Sequence, residues 1–499
     1  MMKLKNILGI IAISALAASC SEDTMDRINK DNAHPGLNVV SAKFQLTDAE
    51  VSSVYNINCA DMSWYVASYT EQIFGTGNNQ LKNAELRSTN ETAASATFDN
   101  NWNQAYTNLF NLKTIIQKCQ EGGNSAGQLD ILGMAQTLAA YNWGIMTDMF
   151  GNIPCSEALG DVSNPKLDSQ EDIYKHIIEL LDAAKGNFDQ AIESNLKNAG
   201  SQDILLNNDL QQWRGLAHAL KARYLLHEMG RDNSVLATVL AETDAAVADG
   251  FEGVSLDVFD GDAQVNPWTA FWWSREYSGT SKTVDDLMVA RQDPREALYN
   301  TDAFGTNTIG IPGNKEQAGL TEAINTPAWF ENGAASCHMF SKSELYFIRA
   351  EVKARLGQDA TTDFHTAVEA SMEDYAYASE TKIAAEDVAA YLAGEVATKF
   401  AANPLSEILV QKYIAQTRDE QLETFNDMRR CEYVDGSYPV KMTNPNNTTS
   451  GGANRLPLRL PYGSSDVISN PNVKAAFGSG NDAGMYIFTD KIWWAGGDR

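Results

Sequence analysis

Between positions 131 and 149, apolar residues recur at alternating steps of four and three. Ile131, Ala135, Leu138, Asn142, Ile145 and Met149 fall on one stripe, with Asn142 its single polar member. The spacing predicts one helix about 28 Å long. Ile173, Ile177, Leu180, Ala184 and Phe188 repeat the pattern, after a Ser169 and Asp172 pair that resembles a capping box with Asp in place of the usual Glu or Gln. Trp213, Leu216, Ala217, Leu220 and Tyr224 form a third stripe. Leu345, Ile348, Val352 and Leu356 form a fourth, which Gly357 stops at a position suited to a left-handed cap. Phe364, Ala367, Met372 and Tyr375 then predict a helix returning antiparallel across a short loop. Helix pairs in series predict a mainly α fold, a frame of tetratricopeptide-like pairs.

Two stretches break the rhythm. Residues 249–334 are rich in Gly, Asp, Asn and aromatics and predict a long irregular insert; residues 435–499, with Pro439, Pro445, Pro457, Pro461 and Pro471, predict loops and short strands. A helical frame with an irregular insert usually carries its function in the insert. The expected organisation is one domain over 36–499.

The start of the chain is of another kind. Lys3 and Lys5 precede an apolar run over 7–18, too short to span a bilayer but matching the core of a secretory signal. The run closes on Leu16, Ala17, Ala18, Ser19 and Cys20, which resembles the lipobox of bacterial lipoproteins. Residues 1–19 are then the signal peptide, and an acylated Cys20 anchors the chain in membrane lipid through the 20–35 linker, although an ordinary signal peptide with a Cys near its cleavage site reads the same way. Ser21, Glu22, Asp23 and Asp26 resemble a surface-export signal, although the same residues also make a solvated linker.

The chain has 38 Lys and Arg against 65 Asp and Glu, a formal charge of -27, or -29 without 1–19, which hold two lysines and no acid. No basic run exceeds Arg429 and Arg430, so nucleic acid is excluded as a partner. Six cysteines without a C-x-x-C make neither a disulfide scaffold nor a structural zinc site. There is no Walker motif, no H-E-x-x-H and no G-x-S-x-G elbow; His218 and His227 read as helix-packing residues, no cofactor is expected, and no enzyme chemistry is supported. Asp257, Asp260 and Asp262 offer three carboxylates in six residues, a weak calcium candidate without the D-x-D-x-D-G spacing, or else a solvated turn.

Trp268, Phe271, Trp272, Trp273 and Tyr277 lie within ten residues. Sugars present apolar C–H faces ringed by hydroxyls, so flat rings with polar neighbours suit them, and Arg275 and Asn266 supply such neighbours here. At helical spacing, however, Trp268, Phe271 and Trp272 share a face and would equally plug the insert onto the frame. Trp64 and Tyr65, ahead of a Gly- and Asn-rich loop over 75–80, form a second candidate surface.

In order along the chain, several segments resemble the SusD/RagB family of outer-membrane lipoproteins, in particular its second, SusD-like branch. Residues 28–35 resemble that branch's opening. Residues 148–159 are similar to its D-x-[YF]-G-x-[VI]-P-Y-S-E-A stretch, departing at Cys155, and 213–223 and 343–351 to two of its helices. Residues 411–415, the paired Arg429 and Arg430, 459–462 and 492–494 complete the series. The resemblance implies helix pairs holding a looped ligand-binding face. It further implies a lipoprotein that sits as a lid on a SusC-type TonB-dependent transporter and captures a glycan, or in some members a peptide, without turnover. It carries no ligand residue across, and the shared segments read as frame. A glycan hydrolase and a scaffold that binds only protein remain the rival readings.

Overall fold

The computed structural model describes residues 39–77, 80–303, 305–321, 324–448 and 456–498. The signal-like run, Cys20 and the acidic stretch after it lie outside the described residues, as do the 28–35 segment and Asn78 and Asn79. Helices of eight or more residues are α1 (Lys43–Val51), α2 (Asp61–Tyr69), α3 (Asp99–Cys119), α4 (Leu129–Phe150), α5 (Gln170–Glu193), α6 (Leu210–His227), α7 (Val235–Ala248), α8 (Pro267–Arg275), α9 (Lys282–Val289), α10 (Lys342–Arg355), α11 (Thr361–Ala378), α12 (Ala385–Ala393), α13 (Glu395–Ala402), α14 (Pro404–Ala415) and α15 (Gln421–Val434). Each of α3 to α6 packs on the next, α7 packs on α10, and α10 packs on both α11 and α14, so the frame is a series of paired helices.

The stripes become these interfaces. Every residue of α4 beyond Leu129 is buried, and Asn142 is a hub in its middle, donating to Ser53 Oγ at 2.9 Å and accepting from Asn108 Nδ2 at 3.2 Å. In α5 the inward row runs through Tyr174, Ile177, Leu181, Ala184 and Phe188; Leu181 takes the buried place and Leu180 is partly covered. Ser169 accepts from the Asp172 N–H at 3.1 Å and donates its hydroxyl to the Asp172 carboxylate at 2.7 Å. The shorter Asp thus closes the cap on the serine side chain. Leu356 is exposed just past α10, and Gly357 has φ +69°, the left-handed cap conformation.

Several of the segments singled out in the sequence interlock. Arg223 on α6 forms a two-pronged ion pair with Glu344 on α10, and Arg430 on α15 reaches Glu351 on α10 and Asp427. Arg429 donates to the Asp148 carbonyl at 2.8 Å, and Trp494 Nε1 to the Asp148 carboxylate at 2.8 Å. His227 sits between Glu423, at 2.6 Å, and the Tyr174 hydroxyl, at 2.8 Å. These residues hold the frame together, as expected of them.

The insert is mostly irregular, and one prediction, the short strands near the C-terminal end, needs correction. The 249–334 stretch holds α8 and α9 besides shorter turns of helix, and α8 starts where the Asn266 side chain accepts from the Trp268 N–H at 2.9 Å and Pro267 follows at the first helical position. Among the described residues of 435–498 there is no strand; Asn470 and Pro471 start a short helix in the same way. Strands are few. β1 (Ile73–Gly75) pairs antiparallel with β3 (Ser278–Thr280), and β2 (Gly253–Leu256) with β4 (Cys337–Ser341).

Candidate functional site

β1 follows α2 and β3 follows α8, so their antiparallel pairing brings together two helices that start 206 positions apart. The contact continues past the strands. Thr76 N–H donates to the Tyr277 carbonyl at 2.6 Å, and Gly77, with φ +91°, lies so close to the Tyr277 ring that a Cβ there would stand 2.2 Å from it.

At this junction Trp64 of α2 stacks on Phe271 of α8, with ring centroids 4.1 Å apart and planes 29° apart, and meets Trp268 edge-on at 6.4 Å. The two aromatic surfaces anticipated separately are therefore one place. A cleft of 530 Å³ opens beside the pair, lined by the rings of Tyr55, Trp64 and Phe271, the amides of Asn56, Gln80, Asn100 and Gln104, and by Ser274, Asp61 and Arg275. Among the described residues lining it, Asp61 and Arg275 are the only charged ones. Burial pushes the Asp61 carboxyl up toward its neutral form, against the pull of a hydrogen bond from Asn100.

The α8 residues divide by face at about 100° per residue. Pro267, Ala270, Phe271 and Ser274 point to the cleft. Trp268 and Trp272 point the other way, both packed against Phe330, and are buried. Trp273 lies on a flank between these faces, 49% exposed and outside the cleft lining. One carboxylate, Glu331, accepts from the indole N–H of Trp272 at 2.8 Å and of Trp273 at 3.0 Å. Tyr65 is buried, edge-on to Phe98 at 5.0 Å with its hydroxyl donated to Glu91. Tyr277 is half-buried beside Gly77.

The acidic loop is a turn. Asp260 accepts from the backbone N–H of Asp262 at 2.9 Å and of Gln264 at 2.8 Å, and these bonds hold its carboxyl below the usual range. Among the described residues, Asp257, Asp260 and Asp262 do not bring three carboxylates within 4.8 Å of one another.

Sequence reasoning missed Tyr55, Asn56, Gln80, Asn100 and Gln104. They come from three further segments, and no spacing along the chain links them to residue 271. A second cavity, of 580 Å³, lies against α3, α4 and α5; Leu109, Ile116, Leu159 and Ile173 surround Trp143 on one part of its wall, and Lys113, Gln117, Gln120, Gln136, Asp168 and His176 line the rest, so it has a single large ring and more charged groups than the cleft.

Comparison with known proteins decides the family. The SusD-like_2 family, described as "Starch-binding associating with outer membrane", matches residues 36–462. The chain belongs to this family. A SusD/RagB family protein from Bacteroides thetaiotaomicron has a crystal structure similar to this SusD-like chain at TM-score 0.83 and 32% identity, over 92% of this chain and all of that one. A SusD homolog from Bacteroides fragilis shares the fold at TM-score 0.70 and 19% identity, over 91% of this chain and all of that one. A chitin-binding SusD homolog from Flavobacterium johnsoniae does so at 0.66 and 20%, over 90% and 98%. No curated protein sequence matches the chain. Among the described residues, no helix of this SusD-like protein is long and apolar enough to cross a membrane.

Proposed function

We propose that this SusD-like protein is a non-catalytic lipoprotein of the outer-membrane surface that captures a neutral oligosaccharide and passes it to a SusC-type TonB-dependent transporter. The ligand lies in the cleft between α2 and α8. The observation that carries this reading is the cleft's make-up: a stacked Trp64 and Phe271 pair with Tyr55 nearby, four side-chain amides, and one acid against one base. Rings take the C–H faces of a pyranose, and amides both donate to and accept from its hydroxyls. Family membership supports both a glycan ligand and the outer membrane, and the chitin-binding relative supports a β-linked glycan among the first to be tried.

Within the site, Trp64 and Phe271 form the platform, Arg275 and the amides orient the sugar, and Tyr277 fixes the α2–α8 junction. Trp268, Trp272 and Tyr65 support the platform from behind, and Trp273 extends contact to a longer chain at the flank. Binding without turnover is favoured because the described lining of the cleft has a single carboxyl group, Asp61, whereas glycoside hydrolysis commonly uses two. Acylated Cys20 anchors the protein.

The test is a binding screen of residues 21–499 against plant, host and microbial glycans and against peptides. Binding to a neutral glycan, lost in Trp64→Ala, is the expected result. Capture of peptides with no glycan bound would overturn the reading, and release of shorter sugars from a polysaccharide would replace it with an enzyme.

A further inference from the structure

Cys59 is the residue after a π-helical turn (Ser52–Asn58) and stands just before α2; Cys337 opens β4. They are 278 positions apart, yet their sulfurs and an Asp419 carboxylate oxygen all lie within 4.8 Å of one another, fully buried. Neither is in a disulfide in this structure. Each sulfur receives a side-chain amide, Asn58 Nδ2 on Cys59 at 3.7 Å and Asn266 Nδ2 on Cys337 at 3.2 Å. Those two asparagines tie the pair to the cleft. Asn266 also caps α8, the Phe271 wall, and Asn58 donates to the His338 carbonyl of β4 at 2.6 Å. Ala60 and Asp61, next to Cys59, line the cleft on the Trp64 wall.

We infer that Cys59 and Cys337 are a disulfide site, closed as the exported protein folds, which locks the two walls of the ligand cleft together. The inference rests on the surface location proposed above, since disulfides persist in oxidising compartments outside the cytosol. Bond formation needs the sulfurs to approach to about 2.05 Å, a closure of less than about 3 Å from their present separation. A thiol–disulfide oxidoreductase is the oxidant. One cysteine, as thiolate, attacks its disulfide and displaces one sulfur; the second then displaces the carrier from the mixed disulfide. Two protons leave the cysteines, and their two electrons convert the carrier's disulfide to a dithiol. The bridge buries no charge, which suits the site: burial, together with the neighbouring Cys337, pushes the Cys59 thiol well up, so that it stays neutral.

A metal ion at the same trio fits less well. It needs both sulfurs as thiolates and a fourth donor. Asp419 already accepts from Arg418 and from the His338 N–H, and Asn266 presents its amide N–H to Cys337, its oxygen being held by the α8 cap.

The experiment maps cysteine state in the full chain recovered from the membrane of its host, denatured and alkylated without reduction. The expected result is a linked peptide pair containing Cys59 and Cys337, with Cys119, Cys155 and Cys431 alkylated. Cys59→Ser should expose Cys337 to alkylation, and Cys337→Ser should expose Cys59. The wild-type map decides the matter even if these variants fold poorly. Both cysteines alkylated in chain from the outer membrane would overturn the inference, as would one equivalent of bound metal whose removal exposes both. Chain recovered only from the cytosol would instead defeat the location reading. Refolding purified chain in oxidised and reduced glutathione then decides the pairing: a single 59–337 link supports it, and mixed pairings overturn it.

Discussion

Trp64→Ala separates the cleft from every other aromatic surface on the protein. The ring stacks on Phe271 at 4.1 Å and meets Trp268 edge-on at 6.4 Å, and each such pair contributes about 0.5–1.5 kcal/mol beyond area burial; with the burial of this partly buried ring lost as well, the variant loses about 3–5 kcal/mol of stability. Against a total of about 5–15 kcal/mol it stays folded. A ring at the centre of a ligand platform contributes about 2 kcal/mol or more to binding, which raises Kd about 30-fold. Trp64→Phe keeps a smaller platform and falls between wild type and Ala. Trp273→Ala removes an exposed ring outside the cleft lining and should change the Kd for a short oligosaccharide by less than about twofold. Titration calorimetry with the best glycan from the screen reads the affinities, and a melting curve on each variant separates lost binding from lost folding. If Trp273→Ala abolishes binding while Trp64→Ala leaves it intact, the ligand lies on the flank of α8 and the cleft argument fails.

Arg223→Met strands Glu344, with Glu420 and Glu423 each 3.8 Å from the same guanidinium, so denaturant unfolding should show a loss of about 3–5 kcal/mol; a loss below about 1 kcal/mol would mean the frame does not depend on this pair. Burial alone would lower the His227 pKa, but Glu423 and Asp148 raise it to about 9. Its contribution to stability is therefore full below the unfolded value of about 6.5 and is lost as pH rises through about 9, and melting temperatures from pH 6 to 10 should fall more in wild type than in His227→Gln. Burial opposes ionisation of Glu242 as well, yet hydrogen bonds from His218 and Lys185 hold its pKa down to about 2. That contribution is present above the unfolded value of about 4.3 and lost as pH falls toward 2, so Glu242→Gln should flatten the acid limb of the same curve. Affinity for a neutral glycan should change little between low and high salt; a steep decline would point to a charged ligand.

The frame was legible because helix burial writes its period into the chain. The stripes through Ile131, Trp213 and Phe364 became helix interfaces, and the errors were local: Leu181 for Leu180, and Leu356 past the helix end. Asn–Pro pairs mark helix starts for a physical reason. Proline blocks a helix from its interior but suits its first residue, and Asn266, Asn403 and Asn470 all cap helices that begin with the proline after them. The candidate cleft was half legible. Local aromatic density marked Trp64 and the α8 cluster, but which ring faces the cleft depends on helix phase, and the phase of a nine-residue helix with apolar residues all round cannot be read from its sequence. The amides were illegible. Asn56, Asn100 and Gln104 are ordinary polar residues that meet Arg275 only through folding, by way of the β1–β3 pairing.

That pairing also explains how an acidic protein can present a nearly neutral cleft. Several of its few cations are used inside the frame: Arg223, Arg291, Arg295 and Arg430 are buried against carboxylates, which leaves the formal charge of -27 largely to the surface. Such a surface repels anions at long range, and an anionic glycan reaching the cleft would find one guanidinium, Arg275, to receive it. A neutral sugar meets no such barrier. It exchanges water for rings and amides that α2 and α8 already hold in place, and because the two helices are clipped together by β1 and β3, little ordering cost is left for the ligand to meet.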